Sequence, residues 1–470
     1  MLARVRSWPR RPELLILTAL SAFTRFWGLF QPHAVVFDEV HYEKFTAEYL
    51  ARVFYLDVHP PLANQIFALT ARLFGIPYLS LGRPEPEPLL RIVPALAGTL
   101  IIPVFYLFLR RLGAPRRLAT LGGALLLLDN ALLAESRVIV PDSMLVLFAL
   151  TALTVYLAAR RRTGAARWLV LAAAALCAGL AVSIKWTGLS ALGLIALAWG
   201  VEGIRRRTPW RRLAAEGAML LVIPVAVYLS VFAVHFARMT RGGPGDMWMS
   251  AAFRATLQGD AKYTPGAHMA FLDKFFEVNR AMRRSDAALV GTANVGASPW
   301  YSWPVIKHAM TFWAGAPQPD GRRATIFLAG NPVVWYGILV GFGVIGVAWL
   351  RRRDRFAAWR APLALTAVAY VANFLPFALI QRVMYQYSYF MAFVYSLAFA
   401  VLGVGIVAGW AADGDDSRPW AFPSRRSAAL YWGLIALAAV SFLYYAPITY
   451  GWPLTPQAFQ MRFWLVQRHF

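Results

Sequence analysis

A chain of 470 residues with 59% hydrophobic and 15% charged residues, and a mean hydropathy of +0.51, is too apolar to be an ordinary water-soluble domain. Its formal net charge of +24 would point to nucleic acid in a soluble protein. Here the arginines cluster on short connections between apolar runs, where they serve as cytoplasmic retention signals, so the expected partner is the lipid bilayer and no nucleic acid.

Apolar runs of roughly 20 residues, enough to cross about 30 Å of hydrocarbon, recur along nearly the whole chain. In chain order they give about eleven spans, centred on residues 14–30, 89–109, 118–134, 142–159, 168–184, 187–204, 213–236, 331–350, 361–380, 388–411 and 428–448. The first is preceded by Arg4, Arg6, Arg10 and Arg11, which holds the N-terminus in the cytoplasm, and it has no small-residue cleavage pattern, so it reads as a retained helix. Alternation from there puts Arg110/Arg111/Arg116/Arg117, Arg160–Arg162/Arg167, Arg205–Arg207/Arg211/Arg212, Arg351–Arg353/Arg355/Arg360 and Arg425/Arg426 on the cytoplasmic side as well. The expected fold class is an all-α polytopic membrane protein, one domain over 1–470 with no separate soluble module. The single cysteine, Cys177, lies in an apolar run and offers neither a disulfide framework nor a thiolate metal site.

Two stretches then fall on the extracytoplasmic side. The loop 31–88 gathers Asp38, Glu39, His41, Glu43, Glu48, Asp57 and His59 in a chain otherwise poor in acids. The stretch 237–330 is rich in Gly, Pro and aromatic residues; it carries Arg280, Arg283 and Arg284, the run GTANVGASPWYSWP from Gly291, and an expected interfacial helix near 270–284 with Phe271, Phe275 and Phe276 on an apolar face. Of the 47 Lys and Arg residues only Lys44, Lys185, Lys262, Lys274 and Lys307 are lysines, and none falls in the cytoplasmic loops. A charge inside or at the end of a span is costly and functional by default, which singles out Arg25, Arg137, Lys185 and Arg382.

Several separated blocks resemble one family. They are TRFWGLFQPHAVVFDEVHYEKF from Thr24, DVHPPLANQ from Asp57, ESRVIVPDSML from Glu135, SIKWTGL from Ser183, PWYSWPVI from Pro299, LAGNPVVWY from Leu328 and RVMYQYSYFMAF from Arg382. Together they are similar to the dolichyl- or polyprenyl-phosphate-mannose–protein mannosyltransferases, bacterial protein O-mannosyltransferases of the GT-C membrane fold. The chain departs from the family pattern at Ala63, Asn64 and Gln65 after the His-Pro-Pro element, and at Tyr385-Gln386-Tyr387.

The resemblance implies transfer of mannose from a polyprenyl phosphate to a Ser or Thr hydroxyl of an exported protein, with inversion, at an active site on the outer face of a bacterial inner membrane. A hydroxyl attacks poorly until a carboxylate accepts its proton; Asp38 is the expected base, with Glu39 beside it orienting the sugar or holding an outer-loop partner. The leaving phosphate needs fixed cations or donors, for which the candidates are Arg25, Arg137, Lys185 and Arg382; His59, Asp142, Tyr385 and Tyr387 join them as candidates for holding the phosphate or sugar of the donor. Asp38, Glu39, Asp57 and His59 leave a divalent ion as an alternative, but no metal-ligand spacing such as HExxH occurs and the cations can serve the phosphate, so no metal or other cofactor is expected. The rival readings are a GT-C enzyme moving another sugar, such as aminoarabinose, onto a lipid, and a transporter or flippase. No internal repeat of the kind transporters show is visible.

Overall fold

The computed structural model describes residues 11–82, 87–288, 290, 296–411, 419–463 and 467–468. Arg4, Arg6 and Arg10 of the N-terminal anchor, and the first residues of the run at Gly291, lie outside them. In chain order the helices are α1 (Pro12–Phe26), α2 (Glu39–Ala51), α3 (Leu62–Leu73), α4 (Ile92–Arg111), α5 (Arg116–Leu127), α6 (Asn130–Glu135), α7 (Asp142–Ala159), α8 (Gly164–Ile184), α9 (Leu189–Arg205), α10 (Trp210–Arg238), α11 (Ala251–Arg254) and α12 (Phe271–Ala287). Strands β1 (Lys307–Ala314) and β2 (Thr325–Leu328) follow, then α13 (Pro332–Arg351), α14 (Arg360–Phe374), α15 (Phe390–Val407), α16 (Arg425–Tyr450), the short α17 (Pro456–Gln460) and β3 (Gln467–Arg468).

Nine helices among the described residues are long and apolar enough to cross a membrane. They match nine of the expected spans. The other two differ in form. The first is α1, of 15 residues. The second, expected as one run over 118–134, is broken into α5 and α6 at Leu128 and Asp129. Asp129 is the cause: its carboxylate caps α6 at the Leu132 N–H (2.8 Å) and also accepts from the Asn331 N–H (3.1 Å) and the Trp335 Nε1–H (2.6 Å). A buried carboxylate satisfied by three donors is more stable than one enclosed in an unbroken apolar helix.

Successive long helices run antiparallel, so the arginine clusters collect at one end of the bundle. There Arg167 makes a two-point pair with Glu216 (2.7 and 2.7 Å), and Arg160 and Arg206 share Glu202. The opposite end carries α2, α3, α12 and the small sheet, in which β1 pairs antiparallel with β2 and parallel with β3. Neither those strands nor the helices α2 and α3, within the stretch expected as a loop, were foretold by the helical periodicity. Helices α7 and α15 form the centre, α7 packed on α4 and α8 and α15 on α13 and α14.

Helix α8 meets α10 through Gly179, where an added Cβ would lie 2.9 Å from the Cα of Pro224. We expect Gly179→Val to cost about 1–3 kcal/mol through overpacking, read as a lowered thermal midpoint in detergent. An unchanged midpoint would show that the two helices part freely there.

Candidate active site

The buried face of α2 carries Glu39, Tyr42, Glu43, Thr46 and Tyr49, which recur at helical spacing but mix carboxylates with aromatics. Such a face needs polar partners. Glu39, fully buried, receives two hydrogen bonds from Arg91, at 2.7 Å from Nε and 2.8 Å from Nη2. The same carboxylate accepts the N–H groups of Val36 (2.8 Å) and Ile139 (3.1 Å), while Arg91 reaches the carbonyls of Pro32 and Ala34 at 3.0 Å. Glu39, expected beside Asp38 to orient the sugar or to hold an outer-loop partner, holds the loop here, with its carboxylate bonded to Arg91 and to the backbone at Val36 and Ile139.

Asp38 stands one residue earlier and points elsewhere. Phe37 before it adopts φ = 51°, a left-handed conformation that a bulky side chain avoids. It is held there by its N–H bond to the Phe312 carbonyl in β1 (3.0 Å) and by stacking on the Phe312 ring at 4.7 Å, with Tyr385 and Tyr387 closing around it. The turn leaves the Asp38 carboxylate partly buried, with no hydrogen bond or ion pair to any described residue. Burial pushes its pKa up, opposed by the nearby His41 and Lys185 and reinforced by Asp142.

Beside it lies a cavity of about 540 Å³. Its polar side carries His59, Asp142, Lys185, Arg382 and Tyr387; its other wall is apolar, with Leu145, Leu189, Phe377 and Phe390 from the membrane helices. Lys185 ends α8 in an extended conformation, donates to both oxygens of Asp142 (2.7 and 2.9 Å) and sits 5.3 Å over the Tyr387 ring. Arg382 pairs with Asp286 of α12 at 3.0 Å, both partly exposed. His59 is presented by Asp57, which accepts the His59 N–H (3.0 Å) and the Asn64 side-chain N–H (2.9 Å). Burial together with Lys185 and Arg382 holds the His59 pKa well below its ordinary value, so the ring is neutral, while burial raises Asp57 to about 6. Tyr385 and Tyr387 stack at 5.5 Å.

Such an enclosure, apolar toward the bilayer and charged toward the loops, suits an amphiphile with a polar head. The family profile described as dolichyl-phosphate-mannose-protein mannosyltransferase matches residues 15–240, and that of the C-terminal four-span region of protein O-mannosyltransferases matches residues 271–468. The chain belongs to this family.

Among its relatives, protein O-mannosyltransferase 1 of Drosophila melanogaster is 36% identical over 54% of the chain, and the mannosyltransferase 1 of Candida albicans 33% identical over 52%. Those matches span only 31% and 30% of the relatives' own lengths. In fold, the chain superposes on the Saccharomyces cerevisiae Pmt1-Pmt2 complex bound to its sugar donor with a TM-score of 0.86 at 18% identity, covering 99% of this chain and 94% of that one. The ArnT structure from Cupriavidus metallidurans bound to undecaprenyl phosphate gives a TM-score of 0.55 at 17% identity, over 93% of this chain and 76% of that one. The GT-C architecture expected from the family blocks is thus the observed one.

Of the site residues expected for this mannosyltransferase-family chain, His59, Asp142, Lys185, Arg382 and Tyr387 line one cavity, with Asp38 and Tyr385 against them. Two arginines do not join it. Arg137 donates to the carbonyls of Arg25 (2.8 Å), Trp27 (2.7 Å) and Gly28 (2.8 Å), closing the end of α1, and stacks 4.7 Å from the Tyr450 ring. Its expected partner Asp142 is taken by Lys185. Arg25 is fully buried and donates to the Thr24 hydroxyl; the groups acting on it electrostatically are Asp129, Arg137 and Tyr450.

The missed residue is Glu135, buried with both oxygens lacking a hydrogen-bond partner, within electrostatic range of Asp38, Asp142 and Lys185. Its signal was in plain view, an acid ending an apolar run. As for a metal, no three His, Cys, Asp or Glu side chains among the described residues are grouped to hold one; Glu39 faces Arg91 and Asp57 faces Asn64.

Glu39→Gln strands the Arg91 charge in the interior. The expected loss is about 3–5 kcal/mol of stability, seen in the thermal midpoint of the purified protein before any assay of activity; a midpoint within a degree of wild type would show the pair to be dispensable.

Proposed function

We propose that this chain transfers mannose from a polyprenyl-phosphate carrier to Ser or Thr hydroxyls of exported polypeptides, inverting the anomeric carbon, with Asp38 as general base. The observation that carries the reading is the unengaged Asp38 carboxylate within electrostatic range of Lys185 and Asp142, which line a cavity that is charged at the loops and apolar at the membrane helices. The acceptor oxygen bonds to C1 of the sugar from the face opposite the phosphate, its proton passes to Asp38, and the C1–O bond breaks with its electron pair leaving on the polyprenyl phosphate. The growing phosphate charge is met by Lys185, in its pair with Asp142, and by Arg382. The Arg382–Asp286 pair is partly exposed and therefore weak, so phosphate exchanges for Asp286 at little cost. Neutral His59 offers a hydrogen bond to the sugar without adding charge.

On this reading the site faces the outside of the cytoplasmic membrane, a placement favoured by the arginine clusters at the other end of the bundle. Sequence identity to named protein mannosyltransferases favours this substrate pair over transfer of aminoarabinose to a lipid, since ArnT is similar in fold alone.

Asp38→Asn is expected to slow transfer from polyprenyl-phosphate mannose to a Ser/Thr-rich peptide by roughly 10²–10⁴-fold with the thermal midpoint retained; turnover near wild type would refute the assignment. Because the base acts only when deprotonated and its pKa is raised, the wild-type rate should fall on acidification with a midpoint above the ordinary carboxylate value of about 3.9. Arg382→Gln should raise the donor KM several-fold while leaving the acceptor KM in place, measured by varying each substrate in turn.

A further inference from the structure

A second concavity, about 1070 Å³, runs along α12 and shares no lining residue with the first cavity. One face of the helix forms its wall: Asp273, Phe276 and Glu277, then Arg280, Arg283 and Arg284, at helical spacing. Opposite are Met247 and Trp248 of the segment before α11. Arg284 is tied to the Trp248 carbonyl (3.1 Å) and Glu277 to Ser250, whereas Arg280 and Arg283 are exposed and have no ion-pair or hydrogen-bond partner among the described residues.

The packing of α12 gives its depth relative to the membrane helices. Phe271 lies against Phe236 of α10, Phe275 against Phe232 and Tyr228, and Asn279 accepts the Tyr228 hydroxyl at 2.8 Å. Tyr228 in turn accepts from Trp186 (2.8 Å), which begins the α9 span just past the end of α8. Tyr228, Trp186 and Asn279 therefore share the level at which α8 and α9 leave the hydrocarbon, where Trp and Tyr ordinarily mark the interface. Helix α10, with 29 residues, is about 43 Å long and projects beyond a 30 Å core. The arginines follow directly on Asn279 at the hydrocarbon boundary, from which long guanidinium side chains extend outward to headgroup depth, while Asp273 and Glu277 stand further from the hydrocarbon by about 10 and 5 Å of helical rise from Arg280.

We propose that this groove binds a zwitterionic membrane phospholipid of the ethanolamine type, its phosphodiester on Arg280 and Arg283 and its ammonium turned outward to Asp273 and Glu277. The order of charge along the helix matches that of such a headgroup, with phosphate nearer the hydrocarbon and ammonium nearer water. Phe276 and Met247, 53% and 80% exposed, offer the apolar contact that the glycerol and upper acyl chain require. A simple anionic headgroup would meet the same arginines but leave the carboxylates facing a like charge.

The test is native mass spectrometry of the full chain exchanged into detergent with dioleoyl-phosphatidylethanolamine, dioleoyl-phosphatidylglycerol or dioleoyl-phosphatidylcholine. Wild type should retain one phosphatidylethanolamine, and Arg280→Gln/Arg283→Gln should lower that occupancy at least tenfold with its thermal midpoint in lipid-free detergent unchanged. Met247→Glu, a substitution at an exposed position, should weaken retention by placing a carboxylate against the phosphate. Equal retention by wild type and the double variant would overturn the proposal, as would retention of phosphatidylglycerol as strong as that of phosphatidylethanolamine. A raised KM for acceptor peptide in the double variant, with lipid retention intact, would assign the groove to polypeptide instead and likewise overturn it.

Discussion

Arg91 and Glu39 meet in the interior with both side chains at or below 1% exposure, and between them they tie together the backbone of two separate segments. The guanidinium gathers carbonyls of the turn after α1, and the carboxylate gathers the N–H groups of Val36 and of Ile139 between α6 and α7. Two charges taken out of water gain from one another only when geometry and the remaining hydrogen bonds are satisfied, and here both conditions hold. The consequence is positional. The residue preceding Glu39 is Asp38, and its carboxylate can stand free in a crowded site only because its neighbour is anchored so firmly.

Electrostatics around Asp38 are unusual for a site read as binding an anionic lipid head. Asp38, Asp142 and Glu135 outnumber the one lysine among them, and Arg382 is already matched with Asp286. The arrangement favours a substrate that brings its own bulk and excludes water, since the two ion pairs tighten as the local dielectric falls. It also keeps Asp38 basic: a carboxylate flanked by other acids and partly buried holds its proton more readily than one in water. The left-handed Phe37 belongs to the same logic, a strained residue next to Asp38 stabilised by stacking on β1.

The small sheet and α12 link that site to the surface. β1 supplies Phe312, on which Phe37 rests; α12 supplies Asp286 at one end and leans on the projecting end of α10 along its length. A shift of α12 is thus coupled through a weak ion pair to Arg382 and the cavity wall.

Hydropathy and charge determined from the sequence where the helices run and which ends share a side, because a bilayer demands long apolar helices and reads arginine clusters locally. The acidic first loop and the family blocks likewise located Asp38, His59, Lys185 and Tyr387. Roles that depend on a partner were decided by the tertiary structure alone. Glu39 and Arg91 are 52 residues apart, Asp142 and Lys185 43, and Arg137 reaches carbonyls more than a hundred residues earlier. An arginine at a helix end looks the same in sequence whether it will hold a phosphate or close another helix's last turn, and a carboxylate looks the same whether it will be a base or a tether. Only the fold sets which polar group lies within about 3 Å, and in a low-dielectric interior that distance decides what each charge does.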